Sequence, residues 1–210
     1  SVGFVTSLIA GYGASAVASF GLASRLEAFA LIAPLALSAS LGPFVGQNWG
    51  AQKYGRVKRA LQLSFWFCLS WGALVAVLLG TAAPEIVAWF DSDPAVVART
   101  TFYLKLVPIS YGALGIVFTA SSAFNALGKP LPALGMSLVR LLLFYVPLTY
   151  LGSRLFGLFG IFGAACLSNS IVGFAVWFWH SRWQNFGSEV PSTENLYVKQ
   201  FRNSHGTTSN

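Results

Sequence analysis

The sequence predicts an all-α fold, a polytopic transmembrane helix bundle of five complete spans preceded by a partial N-terminal one. Composition points there first: of 210 residues, 55% are hydrophobic and 9% charged, with a mean hydropathy of +0.65. A soluble domain carries about 25% charged residues, because its surface must face water. The placement of charge agrees, since long stretches hold none and each charge at mid-bilayer costs on the order of 2.5–3.5 kcal/mol. The apolar runs are also long enough, a ~30 Å hydrocarbon core needing roughly 20 helical residues.

Residues 1–10 are apolar from the outset and read as the tail end of a helix that begins upstream. No positively charged flank or cleavage site marks them as a signal peptide, so the expectation is a truncated chain. Gly11-Tyr12-Gly13 then turns the chain into a first full span, residues 14–44, which ends before Gln47-Asn48-Trp49-Gly50-Ala51. The second runs over 57–83 and is expected to stop at Pro84. Asp91-Ser92-Asp93-Pro94 forms a loop with an N-cap into the third, residues 95–127. Gly128-Lys129-Pro130 ends that helix, and the fourth and fifth spans cover 131–151 and 160–179. The first and third exceed the bilayer's need, which predicts tilt or kinks at Pro34, Pro43 or Pro108.

Basic residues set the orientation. Lys53, Arg56, Lys58, Arg59, Lys129 and Arg182 fall on one side if the spans alternate, against Arg99 and Arg154 on the other. Six against two assigns the first side, and with it the C-terminus, to the cytoplasm. The domain reading is a membrane bundle over residues 1–183 and a polar, flexible cytoplasmic tail over 184–210.

The net charge of +7 is clustered at the ends of apolar runs, so lipid headgroups are its expected partner and nucleic acid is excluded. Cys68 and Cys166 lie singly in apolar segments and read as small buried hydrophobes. His180 and His205 have no partner at ligand spacing, so no metal is expected. No nucleophile–base pair or phosphate loop appears, which argues against an enzyme. What stands out is four ionisable residues at depth: Arg25, Glu27, Lys105 and Arg140. Helix rise puts Glu27 roughly 20 Å from its outer turn, and Lys105 and Arg140 roughly 16 and 15 Å from theirs. Intramembrane charges of this kind face a bundle interior or a watery cavity.

Glu27 is the only acid of the four. Arg25, two residues away, does not share its helix face. Glu27 serves either as a proton or sodium relay or a counter-ion for a cationic substrate, or as an ion-pair partner of Arg140, Arg25 or Lys105 that pins helices together. Pro34 leaves the Ala30 carbonyl without its helical donor, a weak point open to water or a cation. Gln47, Asn48, Asn125 and Asn169 are expected to make interhelical hydrogen bonds. Tyr103, Tyr111, Phe118 and Phe124 are candidates for lining a cavity, with core packing as the plainer role. Trp49, Trp89, Trp177, Trp179 and Trp183 suit interfacial anchoring.

The order Gly13-Ala14-Ser15-Ala16-Val17-Ala18-Ser19, Ser24-Arg25-Leu26-Glu27, Pro34 and Gly46-Gln47-Asn48-Trp49-Gly50-Ala51 resembles the multidrug and toxic compound extrusion (MATE) transporters. Phe124-Asn125-Ala126-Leu127-Gly128-Lys129-Pro130 looks like that family's later Asn-Ala-x-Gly-Lys-Pro turn, and the span with Arg140 and Pro147 also fits. The resemblance covers about residues 1–183. It implies a twelve-helix exporter of two six-helix lobes in the bacterial inner membrane, expelling organic cations or drugs in exchange for sodium or protons. This chain would be most of the second lobe, its partner the missing N-terminal lobe of the same polypeptide. No cofactor is implied beyond the coupling ion. Family members often place essential carboxylates in the first helix of either lobe or in the helix matching residues 95–127. That last span holds no acid here, which leaves Glu27 as the position for a coupling role. The expected ion and substrate path is therefore Glu27, Arg25, Lys105, Tyr111 and Arg140, with Pro34, Gln47, Asn48 and Asn125 as motif positions. Two alternatives stand beside it. One is a lipid-linked sugar flippase of the same superfamily, whose Arg25, Lys105 and Arg140 would hold a diphosphate. The other is a non-transporting membrane scaffold.

Overall fold

The chain folds into α-helices separated by short turns. The structure is a computed structural model and describes residues 2–186. The elements are α1 (Val2–Ala10), α2 (Ala14–Ala30), α3 (Ile32–Gly50), α4 (Tyr54–Ala88), α5 (Pro94–Leu106), α6 (Tyr111–Ala126), α7 (Pro130–Leu138) and α8 (Val146–Phe186). A 3-10 turn, Val107–Ser110, joins α5 to α6, and a π-helical segment, Val139–Tyr145, joins α7 to α8. The chain divides into two compact units, Ser1–Val176 and Trp177–Asn210. The helical bundle below is the first. In the second, the final turns of α8 run to Phe186, where Ser181 Oγ donates to the Phe178 carbonyl. The polar tail expected over 184–210 lies, from residue 187 on, outside the described residues.

The predicted punctuation does its work. Asp93 Oδ1 accepts from Ala95 N at 2.8 Å and caps α5, with Pro94 at the first helical position, where its missing N–H leaves no intrahelical bond unmade. Gly13 and Gly128 take left-handed backbone angles at the turns before α2 and after α6. Residues 2–10 are helical, as their apolar character predicts.

Two expectations are corrected and one is met. Pro84 does not stop its helix: α4 continues through it to Ala88, as membrane helices permit when neighbours re-satisfy the freed backbone. The first long span does kink near Pro34, as its excess length predicts: it is two helices, bent by 46° at Leu31 between α2 and α3. Pro34, three residues on, cannot donate to Ala30, which places the break there. Trp71 Nε1 donates to that Ala30 carbonyl at 2.8 Å. The weak point is therefore closed by an indole, not open to water or a cation.

By length and apolar composition three helical runs can cross a membrane, Tyr54–Ala88, Pro94–Ala126 and Pro130–Ser181, or four if the bent α2–α3 pair counts as one span. Five were expected, because residues 131–151 and 160–179 read as separate helices. They fall within one helical run. That run is interrupted at Gly157, where φ 60° and ψ −138° leave helical space, a conformation open to glycine and costly for other residues. A Cβ on Gly152 would collide with the Gly160 carbonyl. Residues eight apart in a straight helix stand roughly 12 Å from each other, so the chain folds back on itself at Gly157. Ser168 Oγ duly donates to the Arg140 carbonyl at 3.1 Å from the returning arm.

Two apolar cores lie along α4. One gathers Val5, Ile9, Ala16, Leu31, Val75, Val87, Tyr103, Leu104, Tyr111 and Phe162. The other gathers Leu41, Val45, Val57, Phe65, Cys68, Ile116, Val117 and Val172. Outside them Phe29, Leu131, Leu155 and Phe156 are largely exposed. An apolar exterior of this sort suits lipid and would be unusual in water.

Candidate functional site

The face of α2 that meets α5 is a polar ladder inside apolar surroundings. Ser15 Oγ accepts from Arg99 Nη1 at 2.8 Å, and Thr100 Oγ1 donates to the Ser19 carbonyl at 3.3 Å. Two turns further along, Tyr103 OH donates to Glu27 Oε2 at 2.5 Å. Tyr103 is held by its neighbours. Phe162 and Phe20 pack edge-on against its ring at centroid distances of 4.9 and 6.3 Å, and only 3% of the residue is exposed. The ring cannot turn away without breaking both contacts, so the phenol is aimed at the carboxyl by packing.

Glu27 does not make the ion pair expected of a helix-pinning role. Its bonded partner is a phenol, not Arg25, Lys105 or Arg140. Arg140 is within electrostatic range of it, as are Tyr111 and Tyr145. Helix spacing explains the grouping: Tyr103 and Tyr111 are eight residues apart, two turns on one face, and both are buried. The hydroxyl of Tyr111 has no hydrogen-bond partner among the described residues.

Arg140 comes from the other side. It lies in the π-helical segment before Pro147, whose ring clashes with the preceding turn and favours a widened one. Its Nη1 donates to Asn169 Oδ1 at 3.0 Å, and Asn169 Nδ2 donates to Ser110 Oγ at 3.2 Å. Ser110 lies in the 3-10 turn, so three elements are tied through one amide. Arg140 Nε is buried without a partner. Its residue also lines a cavity of about 360 Å³ between α3, α6 and α7, with Ser38, Ser121, Ser122, Asn125 and Ser137 among the walls.

The predicted path residues separate accordingly. The structure brings Glu27, Tyr111 and Arg140 together. It leaves Arg25 and Lys105 exposed. Pro34 is buried at the α3 start and meets the Cβ that Gly115 would carry at 3.3 Å. Of the amides expected to bridge helices, Asn169 does so. Asn48 instead donates to the Phe44 carbonyl of its own helix at 2.9 Å. Gln47 is exposed, and Asn125, also exposed, lines the cavity. Sequence reading missed the pairing of Tyr103 with Glu27 and the Arg140–Asn169–Ser110 chain. The first had a signal in the shared spacing of Tyr103 and Tyr111, whereas the second depends on the reversal at Gly157.

Residues 3–151 match the MatE family. The FAD transporter of Shewanella oneidensis is 38% identical over 174 residues, covering 83% of this chain and 38% of that protein. The multidrug export protein MepA of Staphylococcus saprophyticus is 28% identical, covering 82% and 38%. Among solved structures, the Vibrio cholerae MATE transporter VcmN in its bent form superposes with a TM-score of 0.81 at 37% identity, over 85% of this chain and 41% of that one. The chain therefore spans about two fifths of the length of these relatives. With a family match over most of its length and a bundle that superposes on one solved member, this multi-pass membrane chain belongs to the MATE family of transporters.

Proposed function

We propose that this chain is one lobe of a secondary active transporter that exchanges an organic solute for sodium or protons by alternating access. Family membership supports the class, and one observation carries the mechanism. Glu27 sits among apolar helices with a phenol as its bonded partner and, among the described residues, no bonded cation. A carboxyl so placed can take up a proton or a sodium ion and release it when its surroundings change. Tyr111 and Arg140 continue the proposed path, and the exposed Arg25 and Lys105 are its remaining charged members.

In this reading the lobe has five complete spans and a partial first one, the helical run Pro130–Ser181 counting twice because it reverses at Gly157. Residues 1–183 form the membrane bundle and 184–210 a polar cytoplasmic tail in the bacterial inner membrane, as the basic loops imply. The remaining partners are membrane lipid and an N-terminal lobe of the same polypeptide.

Organic cations or drugs are the leading substrates, supported by similarity to multidrug export proteins. Similarity to a FAD transporter at 38% identity favours a second reading, a phosphate-bearing anion. Transport by the native full-length polypeptide in proteoliposomes tests both. An imposed sodium or proton gradient should drive movement of ethidium or of FAD, and Glu27→Gln should abolish it at normal protein level. Undiminished coupled transport by Glu27→Gln would sink the relay, and no transport of either solute under any gradient would leave a scaffold.

A further inference from the structure

We infer that the cavity between α3, α6 and α7 is a binding site for the phosphate group of an organic anion, with Arg140 as its charge. The inference rests on the transporter reading only in treating this cavity as a substrate chamber. Of the residues that line it, Leu35, Val117 and Phe118 are apolar, Ser38, Ser121, Ser122, Ser137 and Asn125 are neutral and polar, and Arg140 is the one that carries charge. No carboxylate is among them. A cation entering such a chamber would meet repulsion with nothing to offset it, whereas a phosphate would meet a guanidinium and a ring of donors.

The hydrogen bonds already made show which groups are free to answer a ligand. Ser38 Oγ donates to the Phe118 carbonyl at 3.0 Å, and Ser122 Oγ donates to the Ser38 carbonyl at 2.6 Å. Those two hydroxyls are committed to holding α3 against α6. Among the described residues Ser121, Ser137 and Asn125 make no such bond, and of the Arg140 fork only Nη1 is committed, to Asn169. An arginine offers five N–H donors in a planar fork, so the side chain is anchored at one corner with donors to spare. Asn169 fixes its position, and Ser168 holds its backbone carbonyl. A positioned guanidinium backed by free hydroxyls and an amide is the chemistry that recognises phosphate esters, whether of a soluble nucleotide or of a lipid headgroup.

This site also divides labour with Glu27. A coupling cation at the carboxyl and a phosphate at the cavity would both act on Arg140, each easing the charge the other leaves.

Riboflavin and its 5′-phosphate, FMN, differ by the phosphate alone and make the test. Binding of each to the native full-length polypeptide, in a detergent without phosphate, is read by flavin quenching of tryptophan fluorescence. FMN should bind about tenfold more tightly than riboflavin, the scale of one charge-assisted hydrogen-bond set. Arg140→Gln should bring the two within about twofold, and Arg140→Lys should restore part of the difference, since it keeps the charge but not the fork. If Arg140→Gln does not fold, Ser137→Ala combined with Asn125→Leu, both at exposed positions, should still weaken FMN about threefold and leave riboflavin unchanged. Equal affinity of the wild type for both flavins overturns the inference, and so does an equal loss of both in Arg140→Gln. Competition by short-chain phosphatidylglycerol would assign the site to a lipid phosphate, and its absence to a soluble ester. A protein that binds both flavins alike yet moves ethidium in a Glu27-dependent exchange would lose this site and keep the proposed function.

Discussion

Two seams hold the bundle, and they are built in opposite ways. Where α4 crosses α6, backbones touch. A Cβ on Gly72 would lie 2.6 Å from Gly112 Cα, one on Gly112 3.1 Å from the Cys68 carbonyl, and one on Gly115 2.9 Å from Cys68 Sγ. Where α5, the 3-10 turn and the π segment gather around Glu27 and Arg140, side chains make the contact, and Tyr111 OH and Arg140 Nε are buried without partners among the described residues. In lipid no hydrophobic force draws one helix to another, so lasting contact comes from close packing of small residues. The first seam has no bonding capacity left over. The second has a surplus, which is what a site that must bind and release requires.

The contrast breaks hardest at Gly72. Gly72→Leu should destabilise the protein by about 3 kcal/mol or more, because backbone, not a flexible side chain, must yield. Gly80→Leu on the same helix is the control, since a Cβ there meets nothing within 4 Å. Thermal unfolding and size-exclusion of the two variants should separate them, and equal behaviour would mean that α4 and α6 do not touch as described. The polar seam should respond less. Asn169→Ala removes the acceptor of Arg140 and the donor to Ser110 together, and leaving buried groups unpaired costs about 1–3 kcal/mol. A wild-type melting temperature for Asn169→Ala would show that the chain of three residues carries no stability.

How much of this was legible in the sequence differs between the two seams for a physical reason. Helix existence and turn punctuation are local, so Asp93, Gly13 and the Gly128–Pro130 turn could be read directly. Cys68 could also be read as a buried hydrophobe, and it is fully buried. Which residues meet across helices is not local. Glu27 was visible as a lone acid, but its partner is 76 residues away and was hidden among several aromatic candidates. Asn169 reaches Arg140 because the chain reverses at Gly157, inside the gap between the expected fourth and fifth spans, but span order does not say which residues of the two arms meet. Arg25 and Lys105 looked equivalent to Arg140 by depth, since helix rise reports height and says nothing of which face points inward.

The bend at Leu31 stands between the two seams and yields the smallest expected effect. Trp71 is on α4, one residue before the glycine that touches α6, and its indole crosses to the carbonyl that Pro34 leaves open on α2. Its ring lies parallel to Phe67 at 6.2 Å, so Trp71→Phe keeps an aromatic ring there and deletes the donor. Interhelical bonds of this type contribute about 0.6 kcal/mol on average and up to about 1.7, and the fall in stability should lie in that range. The consequence for motion should be larger than for stability. With the Ala30 carbonyl released, the 46° bend loses a side-chain bond that holds it, and α2, which carries Glu27, is freer to straighten. Spin labels at exposed Phe29 and Leu78 would register this as a broadened distance distribution in Trp71→Phe. An unchanged distribution would show that Pro34 alone sets the angle and that the indole only seals a carbonyl from lipid.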